Sequence, residues 1–203
     1  MNRHEHWNKV YETKGAQDVS WYQPRPDLSL ALITASGSGK DAGTIDVGGG
    51  ASTLVDCLLD AGYTRLAVLD LSGAALAQSR TRLAARAAVV EWFEADVTTF
   101  APPHRFGLWH DRAVFHFLTD KTDRQKYVQT LKQTLAADGH VIIASFAIDG
   151  PLKCSGLEVA CYDAPAICAE LGDAFQLLEQ ADETHVTPWA TEQKFTYFRF
   201  KRH

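Results

Sequence analysis

A chain of 203 residues with 46% hydrophobic residues is long enough to bury one substantial core and short for two, so a single domain is expected. Its formal charge of −5 supplies no global basic field, which disfavours binding to nucleic acid by broad phosphate neutralisation. The opening stretch, MNRHEHWNKVYETK, has no apolar signal core and no later run approaches membrane-spanning length, so a cytoplasmic protein without membrane association is the expectation.

Taken in chain order, residues 1–43 read as a cap before the first sheet strand. They carry Trp7, Tyr11, Trp21 and Tyr22, an aromatic density that suits either a lid over a site or a helix docked on the flank of the sheet. The His4/His6 pair lacks a carboxylate or cysteine at ligand spacing, and no metal is expected. Leu28–Ile33 is a short amphipathic segment, and Ala35–Gly43 a loop. Apolar runs then alternate with segments of helical period, the pattern of a mostly parallel sheet covered on both faces. The strands are Thr44–Gly48, Leu66–Leu71, Val89–Val97, Phe106–Ala113 and His140–Ala147. Helices fall at Thr53–Ala61, from the N-cap Ser72 onward, around Phe115–Leu118, and along DRQKYVQTLKQTLAADG to Gly139. Residues 44–147 form the core of this arrangement; residues 148–203 add an insert and two β-like runs, FQLLEQADETHVT and EQKFTYFRF, the last expected to pair antiparallel with its predecessor.

Cys57, Cys154, Cys161 and Cys168 make neither a disulfide framework nor a CxxC pair and read as reduced thiols. The last three recur every seven residues, but Pro165 interrupts any helix that would align them.

IDVGGGASTL, Ile45–Leu54, places three glycines at the first strand-to-helix turn, where helix N–H groups and bare backbone suit a cofactor. Asp70 closes the second strand, where a carboxylate can receive both hydroxyls of a ribose, with Leu71 beside it. A dinucleotide fingerprint would need a third glycine where Thr53 stands. The pattern acid-x-G-x-G-x-small instead fits Asp46, Gly48, Gly50 and Ser52, with Gly49 between the glycines.

With that loop, the chain resembles the class I S-adenosylmethionine-dependent methyltransferases. EADV, with Asp96 and Val97, looks like the end of that family's third strand; HDRAVFHFL, His110–Leu118, like the segment bordering the donor's methyl group; LAADGHVII like the turn into the fifth strand. The resemblance spans roughly Ile45–Ala147 and implies an α/β, doubly wound, seven-stranded sheet with an antiparallel last strand and an N-terminal helical lid. It also implies S-adenosylmethionine as cofactor, S-adenosylhomocysteine as product, and transfer by in-line displacement. Asp96 would approach the adenine amino group and Val97 flank its ring; Asp46, Gly48–Gly50, Asp70, Leu71, Asp111 and Trp21 complete the expected cofactor contacts. Trp21 or Tyr22 could offer a ring face to the sulfonium.

An acceptor that starts protonated needs a base, for which His116, His110, Asp111 and Tyr22 are candidates; His116 is preferred because it would face the donor just beyond strand four, with a buried structural histidine as the other reading. Arg112 either binds an anionic substrate or pairs with Asp111. A small-molecule acceptor is expected from the compact size, with the insert Asp149–Asp163 shaping its pocket. A protein lysine is the alternative acceptor, and a non-catalytic S-adenosylmethionine-binding module the second alternative. A monomer is the default oligomeric state.

Overall fold

In the computed structural model, which describes residues 3–203, helices α1 (Arg3–Thr13) and α2 (Asp27–Ala35) precede the sheet. Strand and helix then alternate: β1 (Thr44–Val47), α3 (Leu54–Asp60), β2 (Leu66–Asp70), α4 (Gly73–Leu83), β3 (Val90–Glu94), β4 (Phe106–Arg112), α5 (Lys121–Thr134) and β5 (Leu135–Phe146). A small hairpin follows, β6 (Lys153–Cys154) and β7 (Leu157–Glu158), then α6 (Ala164–Leu171) and the long strands β8 (Phe175–Val186) and β9 (Glu192–Arg202). The seven-stranded sheet has the order β3-β2-β1-β4-β5-β9-β8. All its pairings from β3 to β5 are parallel, and β9 runs antiparallel to both β5 and β8.

The inner strands read as unbroken apolar runs because both faces are covered. In β5, Val141 and Ile143 enter one core with Trp109 and Leu131, while Ile142, Ala144 and Phe146 enter the other with Leu32, Leu54 and Tyr197. Neighbouring residues serve opposite layers because strand side chains alternate. The direction of strand succession reverses between β1 and β4, and such a reversal opens a crevice beyond the carboxyl ends of the strands.

Local chemistry fixes the boundaries. Ser72 Oγ accepts from Ala75 N at 3.1 Å and so caps α4; Asp120 accepts from Thr122 N at 2.7 Å at the start of α5. Asp163 caps α6, with Pro165 in its first turn, so Pro165 starts this helix and Cys168 alone of the three spaced cysteines lies on it. Cys154 sits in the hairpin and Cys161 in the loop beyond it. Three boundaries differ from the sequence pattern. The helix expected to reach Gly139 stops at Thr134, since Leu135 already pairs with Phe106, and the ladder skips to His140 opposite Leu108, leaving Asp138 at φ 58° in the bulge. The third strand ends at Glu94, and Phe115–Phe117 is a single 3-10 turn.

Among the described residues no helix is long and apolar enough to cross a membrane.

Candidate active site

Two connected hollows lie over the carboxyl ends of β1, β2 and β4. The larger encloses about 890 Å³, its mouth included, and runs from Asp70, Leu71, Asp96 and Val97 at one end to Phe146, Cys154, Gln193 and Phe195 at the other. The second, about 550 Å³, lies over the glycine loop, where Tyr22, Ser29, Asp46, Gly49 and His110 line it. Tyr11, Trp21, Val47, Gly48 and Arg112 belong to both and form the partition.

The three glycines answer first to the protein's own atoms. Gly48 has φ 69°, and a Cβ there would stand 2.0 Å from Val114 Cγ2. A Cβ on Gly49 would meet Asp46 Oδ2 at 2.4 Å, and one on Gly50 would meet Asp70 Oδ2 at 2.5 Å and Ala75 Cβ at 2.8 Å. The bare backbone therefore makes room for two carboxylates, and only Gly48 and Gly49 also face a hollow; Gly50 lines neither.

Each acid is held by hydrogen bonds from its own surroundings. Asp70 Oδ1 accepts from Ser72 N at 2.7 Å, and burial, opposed by that hydrogen bond, pushes its carboxyl up to about 7. Asp46 Oδ1 is 2.7 Å from His110 Nδ1, and His110 Nε2 is 2.9 Å from Ser29 Oγ, all three side chains buried. A carboxylate only accepts, so Nδ1 carries the proton. That contact leaves Asp46 Oδ2 buried and, among the described residues, without a hydrogen-bond partner beside the second hollow. Asp96 turns one oxygen to Thr98, accepting from its N at 2.8 Å and its Oγ1 at 2.7 Å.

The N-terminal segment covers the cleft, and both readings of its aromatics hold in part. Asn8 Oδ1 accepts from Ser72 Oγ at 2.8 Å and Ala74 N at 3.3 Å, which docks α1 on the start of α4, and Arg3 pairs with Asp123. Trp7 meets Trp21 and Phe117 edge-on at 5.7 and 5.0 Å between ring centres, and Trp21 Nε1 donates to Tyr11 Oη at 3.0 Å. These rings are at once a docked flank and the roof of the larger hollow.

Arg112 pairs with Glu183 at 3.3 Å rather than with Asp111. Its Nε donates to Tyr197 Oη at 2.8 Å, its Nη1 to Trp21 O at 3.1 Å, and its guanidinium lies 4.3 Å from the centre of the Phe195 ring. Glu183 in turn accepts from Gln23 and Tyr197, so β8 grips the lid through one buried network.

Two expected site residues stand elsewhere. Asp111 is fully buried and lines neither hollow: Oδ1 accepts from Val114 N at 2.8 Å and Oδ2 from Tyr127 Oη at 2.6 Å, so the carboxylate is consumed in shaping the turn after β4. His116 also lines neither hollow. Its ring is fully buried against Phe117 and Phe146, Nδ1 faces Phe146 N at 3.5 Å, Nε2 has no partner among the described residues, and burial pulls the imidazole down to about 3. A group that weak and that enclosed is a poor proton acceptor at neutral pH. Tyr22 sits on the second hollow, away from the Phe195 end.

Sequence reasoning did not single out Asn8, Ser29, Glu183 or Gln193, because isolated polar residues carry no spacing signal; only the sheet brings them to the cleft. Among the described residues no group of three or more His, Cys, Asp or Glu is placed to hold a metal ion.

Residues 45–139 match the family described as "Methyltransferase domain". No curated protein matches the sequence. Among solved structures, the N-methyltransferase NodS from Bradyrhizobium japonicum WM9, in complex with S-adenosyl-L-homocysteine, is 19% identical with a TM-score of 0.73 over 96% of this chain and 97% of its own. A structure described as the conversion of a disulfide bond into a thioacetal group during echinomycin biosynthesis is 18% identical with a TM-score of 0.78, covering 99% of this chain and 92% of that one. The glycopeptide N-methyltransferase MtfA is 16% identical with a TM-score of 0.68, covering 85% and 94%.

Proposed function

We propose that this chain, whose residues 45–139 match a methyltransferase domain and whose fold is the one the S-adenosylmethionine-dependent methyltransferase structures share, transfers a methyl group from S-adenosylmethionine to a small-molecule acceptor, releasing S-adenosylhomocysteine. The observation that carries this reading is the set of acids, Asp46, Asp70 and Asp96, at or just beyond the ends of β1, β2 and β3 around one cleft floored by glycine backbone. The donor's sulfonium supplies an activated methyl group and a neutral leaving group.

The residues present fit that donor. Asp70, which lines the larger hollow at the end of β2, is placed to receive ribose hydroxyls. Asp96, Val97 and Leu71 bound the adenine end. The partnerless Asp46 Oδ2 suits the donor's ammonium group, and His110, braced by Ser29, fixes the carboxylate in that direction. Gly48 and Gly49 bring backbone against the donor, and Trp21 and Tyr22 close over it. Because the helix roof and the Arg112–Glu183 network border the cleft, an acceptor of low molecular weight suits it. Four cysteines without disulfides support action in the cytoplasm.

Release of S-adenosylhomocysteine that depends on an added acceptor tests this reading; saturable donor binding without turnover over a broad panel of small molecules and lysine peptides would leave a binding module instead. Two further results are expected. Asp70 holds its proton up to about pH 7, and ribose hydroxyls bond best to the ionised form, so donor affinity measured by calorimetry rises roughly tenfold between pH 6 and pH 8 and then levels. His116→Gln retains kcat within about threefold, because His116 lies behind the wall and the glutamine still offers Phe146 N an acceptor; a loss beyond a hundredfold would make His116 the base after all.

A further inference from the structure

The end of the larger hollow farthest from Asp70 has a composition of its own. Phe146, Phe195 and Trp7 give it apolar walls, and Cys154 adds a thiol that burial pushes up to about 11 and keeps neutral. Arg112 is the cation there, and Glu183 at 3.3 Å balances it. Gln193, at the start of β9, lines this end on the same face of the strand as Phe195, and its Oε1 is buried with no hydrogen-bond partner among the described residues. A buried amide carbonyl left unpaired costs about 1–3 kcal/mol, so such an atom in a cavity wall marks a place where a ligand donor belongs.

We propose that Gln193 is an acceptor-binding residue whose Oε1 receives an N–H from a small, uncharged, largely apolar amine. The proposal rests on the methyl-transfer reading and names the acceptor within it. Charge selects the neutral amine: with donor bound, an ammonium would enter an apolar chamber beside a sulfonium, Arg112 is already matched by Glu183, and among the described residues no free carboxylate lines this end. The lack of an available base among the described residues of this wall favours nitrogen over a hydroxyl oxygen. Cys154 is neutral, Tyr197 Oη is engaged with Arg112 and Glu183, and His116 is behind the wall. A neutral amine attacks with its lone pair while still protonated, which a phenol or alcohol cannot do effectively. The N–C bond forms as the donor's S–C bond breaks, sulfur keeps the electron pair and becomes a thioether, and the resulting alkylammonium releases its extra proton to water after leaving. Through the step the N–H to Gln193 Oε1 strengthens as positive charge grows on nitrogen.

The test uses the full chain saturated with S-adenosylhomocysteine and, in separate titrations, aniline, phenol and thiophenol, three molecules with the same ring. Aniline binds the wild type, and Gln193→Leu weakens it at least tenfold while S-adenosylhomocysteine affinity stays within twofold, which also shows that the variant is folded. With S-adenosylmethionine in place of the product, aniline is methylated faster than phenol or thiophenol, and Gln193→Leu raises its KM. Aniline affinity unchanged in Gln193→Leu, no binding of aniline to a chain that binds S-adenosylhomocysteine, or faster methylation of phenol or thiophenol overturns the proposal while leaving the donor reading intact. Failure of S-adenosylhomocysteine itself to bind would overturn that reading and this proposal with it.

Discussion

Asp70→Ala weakens S-adenosylmethionine binding by about a hundredfold or more, the largest loss of donor affinity among single substitutions in the cleft. Two hydrogen bonds from ribose hydroxyls to a carboxylate contribute about 1.5–3 kcal/mol each, and alanine removes both. Titration calorimetry at pH 8, where Asp70 is ionised, measures this directly. Substitutions in the N-terminal segment, such as Trp7→Ala, are expected to have smaller effects on the donor, since Trp7 offers the hollow only ring surface.

The same carboxylate destabilises the folded protein at neutral and higher pH. Its folded-state value of about 7 lies above the ordinary 3.8, so the folded state holds the proton that the unfolded chain has already released. The stability this proton contributes is fully present below pH 4 and is lost as pH rises through 7. Asp70→Asn, which keeps an acceptor for Ser72 N, is therefore expected to raise stability at pH 8 by about 1–2 kcal/mol, or roughly 2–8 °C in Tm, while donor binding collapses. A lower Tm together with unchanged affinity would detach Asp70 from the donor.

Gly48→Ala is the second large effect, and it acts on the fold as well as the site. Alanine at φ 69° costs about 1–2 kcal/mol, and a Cβ built 2.0 Å from Val114 Cγ2 forces that side chain to move, adding about 1–3 kcal/mol of overpacking. The expected fall in Tm is about 5–15 °C, read by thermal unfolding. Because Val114 lines the larger hollow, its displacement also narrows the donor's berth, and affinity falls at least about tenfold. Wild-type Tm in this variant would mean that the turn adopts another backbone path.

Much of this architecture was legible because it rests on local periodicity. Val141–Ala144 announces a strand buried on both faces, Ser72 a helix start, and Asp46, Gly48, Asp70 and Asp96 a series of strand ends that the sheet gathers around one cleft. The end of α5 was not legible, since LAADG continues the apolar spacing and only pairing of Leu135 with Phe106 decides that a strand begins there. His116 misled for a related reason: its place in sequence, next to Phe115 and Phe117, is compatible with either side of a 3-10 turn, and Asp111 sets the turn so that the imidazole points inward. Arg112 next to Asp111 suggested a pair, yet adjacent strand residues face opposite sides, which sends Arg112 to Glu183 on β8 and Asp111 to Tyr127 on α5. Gln193 and Ser29 reach the cleft through tertiary placement alone. The glycines illustrate both limits: their place at the first strand-to-helix turn is readable, but the reason each lacks a Cβ lies in Val114, Asp46 and Asp70, contacts that no reading of the loop by itself supplies.

The measurement that bears most directly on the account is calorimetric titration of the purified chain with S-adenosylmethionine, S-adenosylhomocysteine and NAD, each in turn, for the wild type and Asp70→Ala. The account requires saturable one-to-one binding of both adenosyl ligands by the wild type, none of NAD, and loss of the adenosyl signal in Asp70→Ala. Binding of NAD without the adenosyl ligands, or adenosyl binding indifferent to Asp70, would contradict it.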